Sequence, residues 1–400
     1  MNKKFYLVAL AFSAMTMFTA CDKNDNKDDD TPEDYNLIGE LTENRTLSAG
    51  QKYTLSGGFH VKSGVTLTIE EGVTIEAVND NIVDYILVEQ GAKIDAQGSA
   101  EAPIIMTSQK KEAGAWGGLH ICGMAPINVQ GATSVSEVGD AAYGGSDEAD
   151  NSGILRYIRI EYAGYTFSEE KEANGFTFYG VGNGTTVDHL QAYMGSDDGF
   201  EWFGGTVNVK YLVSTNNTDD SFDWTEGWRG KAQFLVAQQL SDECDCLVEA
   251  DNNSKNAELS PVSCPVLSNV TLIGNDNADN NKGIRLRAGT YAKIYNTIVT
   301  GKANCVNVET PETSGSLSDG NSTLQYLVLS DDINVDEGPY TKEMFLADGT
   351  NKVNQSVSLS GIIGTVDGGC NASSIDSFFD DVTFIGAIES DNDWTSGWTR

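Results

Sequence analysis

Positive charge is scarce in this sequence. Lys and Arg total 25 against 59 Asp and Glu, a formal net charge of −34. A phosphate backbone would be repelled over most of such a surface, so nucleic acid is excluded as a partner, while cations and neutral ligands such as sugars or peptides stay open. Histidine is scarcer still. His60, His120 and His189 are the only three, and none is spaced near a Cys pair, which leaves little for a zinc site. The chain lacks a GxSxG elbow, an HExxH pair and a GxxxxGK[ST] loop, and His189 has no obvious partner, so the usual hydrolase, metalloprotease and nucleotide-binding chemistries have no carrier. Proline numbers seven, whereas glycine reaches 42 and β-branched runs alternate with Asn and Asp, the composition of short strands joined by tight turns.

Beyond its first residues the chain has no apolar run of membrane length. Lys3 and Lys4 precede an apolar run over 5–18, then Thr19, Ala20 and Cys21. This is a secretion signal, too short to remain as a spanning helix, which needs about 20 apolar residues. Phe18-Thr19-Ala20-Cys21 resembles the lipobox of bacterial lipoproteins, which implies cleavage after residue 20 and a lipid (palmitate) anchor on Cys21 in the outer membrane. Residues 21–34 form an acidic, flexible tether, too polar to bury a core. Removing 1–20 takes away two lysines and no acid, moving the charge from −34 to −36. Six cysteines remain: Cys122, Cys244, Cys246, Cys264, Cys305 and Cys370. An oxidising envelope permits disulfides, and one bridge among Cys244, Cys246 and Cys264 is expected to staple an insertion at about 240–265.

Internal repetition decides the fold. SDDGFEW (196–202) recurs as TDDSFDW (218–224), and VDHLQAYMGS (187–196) as VKYLVSTNNT (209–218), both at an offset of 22 residues. Looser copies run outward, from YIRIEYAG (157–164) to LQYLVLSDD (324–332). Units this short cannot bury an apolar face alone, but stacking coil on coil yields one continuous core. The expectation is an all-β right-handed parallel β-helix over 35–400 with N- and C-terminal caps, the latter at about 371–400 with one short helix near 374–380.

In this frame Phe176, Phe200, Phe222, Val248, Ile284 and Val306 stack inward, so the next residues form an outward row: Thr177, Glu201, Asp223, Glu249, Arg285, Asn307. Neighbours in such a row sit about 5 Å apart. Three like charges this close need a proton, a cation or a metal between them. Three readings compete. The row with the turn residues Asp197, Asp198, Asp219 and Asp220 binds calcium; or the acids catalyse glycan cleavage, with calcium and Arg285 in a lyase-like site; or Asp and Asn merely bond local backbone in solvated turns, which the composition favours. Trp202, Trp224 and Trp228, with Tyr162, Tyr179 and Tyr193, offer a ligand-stacking platform if exposed, although their alternating strand positions put at least half of them in the core, and Arg285 and Arg287 lie beside the row as further ligand-binding candidates.

WGGLHICG (116–123), the tandem DDGFEWFGG and DDSFDWTEGW, VEADN (248–252) and FIGAIESDNDWTSGW (384–398) together resemble a group of β-helical surface lipoproteins. They belong to bacteria that import nutrients through starch-utilisation-type (SusC/SusD-like) TonB-dependent channels. The resemblance implies a non-catalytic protein facing the cell exterior that binds a glycan or peptide, or serves as an auxiliary importer subunit. A calcium-dependent polysaccharide lyase or glycoside hydrolase is the alternative, and an adhesin the third.

Overall fold

The computed structural model describes residues 34–400 apart from 79, 81, 169 and 170. Cys21, the signal segment and the tether up to residue 33 lie outside the described residues. From Tyr35 onward the chain is one compact unit. Among the described residues no helix is long and apolar enough to cross a membrane.

Alternating apolar and polar residues put one face of each strand inward, and the coils stack these faces on one another. Among the described residues, 23 strands join in a single sheet whose pairings are parallel, the arrangement of a parallel β-helix. On one side short strands pair in strict register. Phe176 lies opposite Phe200, Phe200 opposite Phe222, and Val248 opposite Ile284, which lies opposite Val306. Phe176 and Phe200 stack with ring centroids 5.1 Å apart, and Phe200 and Phe222 at 5.5 Å. The outward row also holds: Thr177, Glu201, Asp223, Glu249, Arg285 and Asn307 are successive partners.

The other side is built from bent strands such as Gly153–Glu161, Thr186–Tyr193 and Asn208–Thr215. The bend is one residue per coil in the left-handed region: Tyr157, His189, Tyr211, Phe234, Asn269, Asn296 and Tyr326, with φ between 49° and 60°. A bulky residue there is strained. Stacking of the same position in adjacent coils compensates, with centroids 4.2 Å apart for Tyr157 and His189, 4.4 Å for His189 and Tyr211, and 4.9 Å for Tyr211 and Phe234.

This ladder explains why the C-terminal residues are not an end cap. From about residue 364 the chain runs back along the solenoid as a strap over the bend residues. Asn296 Oδ1 accepts from Cys370 N (3.0 Å), Asn269 Nδ2 donates to the Phe384 carbonyl (2.7 Å), and Trp394 and Trp398 pack edge-on against Tyr211 and Tyr157. Arg400 closes the strap, its amide donating to Gln191 Oε1 (2.8 Å) and its guanidinium pairing with Glu161 (3.2 Å). The helix expected near 374–380 is a single 3₁₀ turn at Ala372–Ser374. The end of the solenoid is covered instead by Tyr340, the short helix Lys342–Phe345, Leu346 and Val353, which pack on the last coil. At the other end the coil of Asn36–Leu41 and Arg45–Leu47 is the first rung among the described residues.

The insertion at about 240–265 is also corrected. Val248–Asp251 is an ordinary rung in full register with Lys282–Arg287, and only the turn after it is long. Asn252 shapes that turn by donating to the carbonyls of Ala257 and Leu259 (2.9 Å each) while its Oδ1 accepts from Ser263 N (2.9 Å). No disulfide staples it: Cys122, Cys244, Cys246, Cys264, Cys305 and Cys370 are all free thiols. Cys244 and Cys246 are wholly buried, and burial pushes the Cys246 thiol well up. We expect thiol titration of the unfolded chain, without reductant, to count these six groups, and the folded melting temperature to be indifferent to reductant; a count lower by two would reinstate a bridge.

Candidate functional site

Register brings the acids of the repeat together. In the turn before each short strand, the second Asp of the DD pair caps the next coil. Asp198 Oδ1 accepts from Asp220 N (2.8 Å), and Asp220 Oδ1 from Cys246 N (2.6 Å). Two positions past that cap the strand begins, so Glu201 and Asp223 emerge beside the capping acids. Oxygens of Asp198, Glu201 and Asp223 lie within 4.8 Å of one another, as do those of Glu172, Asp197 and Asp219. Asn174 Nδ2 donates to Glu201 Oε2 (2.6 Å). It is positioned by the Thr177 hydroxyl (3.2 Å), which in turn meets the buried His120 (3.0 Å), a ring held neutral because burial lowers its pKa to about 4.

Compensating charge is distributed unevenly along the row. Arg285 pairs with Glu249 and, at 2.8 Å, with Glu309; Arg287 pairs with Asp251 (2.7 Å) and Glu249 (3.1 Å). Lys302, almost fully buried, donates to the carbonyls of Asp245 (2.8 Å) and Asn280 (2.6 Å) beneath the next turn. Toward the N-terminal side this supply ends. Among the described residues no Lys, Arg or His pairs with Asp197, Asp198, Glu201, Asp219, Asp220 or Asp223. Asp223 Oδ1 is sealed from solvent and has no hydrogen-bond partner among the described residues.

These acids enclose a pocket of about 220 Å³ whose lining is seven carboxylates, those of Glu137, Glu172, Asp197, Asp198, Glu201, Asp219 and Asp223, together with Asn174. Burial disfavours the ionised forms of Glu137, Asp197, Asp198, Glu201, Asp219 and Asp223, and neighbouring acids add to it. Asp197 is pushed up to about 8 by burial and then by Glu172 and Asp219; Glu137 rises to about 7 by burial and then by Glu226. Asp198, Glu201, Asp220 and Asp223 are held well above the usual carboxylate range, again chiefly by burial. Through Glu137, Glu201 and Asp223 the pocket opens into a cleft of about 890 Å³. One wall of the cleft is Val129, Gln130 and Ser134; the other is Asn253, Ser254, Lys255 and Asn256.

The tryptophans are not part of this site. Trp202, Trp224 and Trp228 are buried in the solenoid core, with Trp202 stacked on Trp228 at 4.4 Å. Phase requires it for the first two: with Phe200 inward and Glu201 outward, Trp202 must again point inward, and so must Trp224 after Asp223. Of the proposed arginines, Arg287 lines the cleft and Arg285 braces Glu249 from behind, and both are engaged by acids. Glu249 is thereby tied to arginines, unlike Glu201 and Asp223. Sequence reasoning missed Glu137, Glu172, Glu226 and Asp251. Asp251 was within reach, two positions beyond Glu249 on the same face. Glu137 comes from a loop, and Glu172 from the small hairpin pairing Thr166–Ser168 with Lys171–Glu172, outside any repeat.

Residues 39–399 match the family model of the pectate-lyase-like β-helix domain. Neither a curated protein nor a solved structure matches the chain.

Proposed function

The chain belongs to the family of pectate-lyase-like β-helix domains, and from that premise we propose that it is a surface-anchored, non-catalytic binding protein that takes calcium in its acidic pocket and holds a ligand in the adjoining cleft. The observation that carries this reading is Asp223: its Oδ1 is sealed from solvent and without a hydrogen bond among the described residues, in a cluster of acids of which Asp197, Asp198, Glu201, Asp219 and Asp223 have no ion pair there. Leaving a buried acceptor unmade costs about 1–3 kcal/mol, more if it is charged, so a cation is the natural partner. Calcium accepts six to eight oxygen ligands in flexible geometry, and this pocket offers carboxylates from two successive coils, a turn and two flanking loops. Bound there, the ion would neutralise the acids and keep ligand positions open toward the cleft.

The arginines support binding over catalysis. Each is held by two carboxylates, so neither is free to take a proton from a substrate. A pectate chain is moreover a polyanion, and this cleft is acidic. The family match favours one second reading, a calcium-dependent polysaccharide lyase or glycoside hydrolase. Incubating the chain with plant and host polysaccharides, with and without calcium, separates the two: new unsaturated or reducing ends would displace the binding reading.

Anchoring through Cys21 and the acidic tether would place the solenoid at the outer membrane, facing outward, as an auxiliary subunit of a starch-utilisation-type importer. Affinity purification from detergent-solubilised outer membranes is expected to recover importer subunits with it, and a chain that always runs alone would reject that role. For the pocket, calorimetric titration with calcium chloride should give saturable heat that Asp223→Asn abolishes. Heat unchanged in that variant would remove the site.

A further inference from the structure

The cleft beside the pocket carries its own signature, and resting on the cation reading we propose that its ligand is an uncharged oligosaccharide whose neighbouring hydroxyls complete the coordination of the bound ion. The two spaces share Glu137, Glu201 and Asp223, so a ligand filling the cleft reaches the pocket's mouth. Past those three acids, the charged groups of the cleft other than Lys255 are engaged within the fold. Asp251 and Glu249 face Arg287, and Glu226 accepts from the Tyr143 hydroxyl at 2.8 Å. Beside the Lys255 ammonium, what remains toward the ligand is a set of amides and hydroxyls, among them Gln130, Ser134, Ser254 and Asn256. Such groups both donate and accept, which is the complement of a sugar hydroxyl and of no charged group in particular.

The walls are fixed before any ligand arrives. Asn128 Nδ2 donates to Asn252 Oδ1 (2.7 Å), Asn253 Nδ2 donates to Asn128 Oδ1 (3.1 Å), and the Asn128 amide bonds the Glu226 carbonyl (2.9 Å). The two loops are thus stapled across the cleft, so binding orders little new chain. Its volume of about 890 Å³ lies within the roughly 300–1,000 Å³ of small-ligand sites. Charge decides the ligand class. One divalent ion offsets two charges of a seven-carboxylate pocket on a chain of formal charge −34, so a polyuronate would meet net repulsion along its length while a neutral glycan meets none.

The test uses the full chain in detergent on immobilised neutral oligosaccharides of glucose, mannose, galactose and xylose, with oligogalacturonates beside them, in calcium and in EGTA. Retention is expected on one or more neutral glycans only in calcium, and not on oligogalacturonates. Asp223→Asn should weaken it at least about tenfold and Asn256→Ala, in the wall, should weaken it without altering calorimetric calcium binding, while Glu70→Gln in a remote groove changes neither. Retention of oligogalacturonates, retention that survives EGTA, or no retention at all overturns the ligand class. Calcium heat without glycan retention leaves the cation reading standing, whereas absent calcium heat brings down that reading first.

Discussion

In EGTA the melting temperature of this protein should fall as pH is raised from about 5 to about 8, and saturating calcium should restore it. The sign follows from the pocket. Glu137, Asp197, Asp198, Glu201, Asp219 and Asp223 have folded-state pKa values above the unfolded ones, near 3.9 for Asp and 4.3 for Glu, so the native state holds more protons than the unfolded chain. Stability from such groups is fully present below the unfolded values and is lost as pH climbs through the folded ones, about 7 for Glu137 and about 8 for Asp197. With Asp198, Glu201, Asp220 and Asp223 displaced in the same direction, the loss should be on the order of several kcal/mol, read as a drop on the order of 5 °C. Calcium takes the place of the protons, and at a hundredfold excess over its Kd it would return about 2.7 kcal/mol. Glu201→Gln and Asp223→Asn should melt higher than the wild type in EGTA at pH 8, since each removes a buried like charge, yet gain nothing from calcium. A melting temperature that rises with pH over this window, or ignores calcium at pH 8, would show that the acids are solvated turn residues after all.

Trp202→Ala should cost about 3–5 kcal/mol of stability, the range for truncating a large buried aromatic. The indole is fully buried, stacked on Trp228 at 4.4 Å and Phe178 at 5.9 Å, in the middle of a solenoid whose neighbouring coils rest on it. Trp202→Phe should be far milder, because the indole Nε1 has no hydrogen-bond partner and its removal relieves a buried unsatisfied donor. Chemical denaturation followed by circular dichroism gives both values. Should Trp202→Ala fold with unaltered stability but lose ligand, the tryptophan would belong to a binding surface, as its proximity to the acids in sequence suggested.

Much of the architecture was legible because a 22-residue offset and a strand period of two leave little freedom. Once Phe200 is placed over Phe222, Glu201 must lie over Asp223, and the row from Thr177 to Asn307 follows. The same arithmetic already turned Trp202 and Trp224 inward; reading them as a platform gave the attraction of clustered aromatics more weight than their phase. Trp228 had no phase to consult, since it follows a turn. The turn at 252–265 was read as part of an insertion because its length hid the regular rung before it. Glu137 and Glu172 were out of reach for a different reason: loops obey no period, and only the folded chain shows which acid they deliver to the pocket. The strap was hidden likewise, because its partners are residues whose shared left-handed conformation leaves no mark in composition.

That strap changes what kind of object the solenoid is. A stack of coils in which each touches only its neighbours behaves as a one-dimensional chain, able to unravel rung by rung from either end. Here Arg159 Nη1 donates to the Trp398 carbonyl across 239 positions, while Asn296 and Asn269 grip the same segment farther along. Loosening one of these rungs therefore disturbs a segment that also clamps the others, so the coils from Gly153 to Leu329 share a common fate. The earlier coils, which lie ahead of the bend-residue ladder, keep the freedom to fray. Apart from the loop that brings Val129, Gln130, Ser134 and Glu137, the acidic pocket and its cleft are built on the shared portion, so most of the surface that meets a ligand rests on coils that hold or melt as a unit.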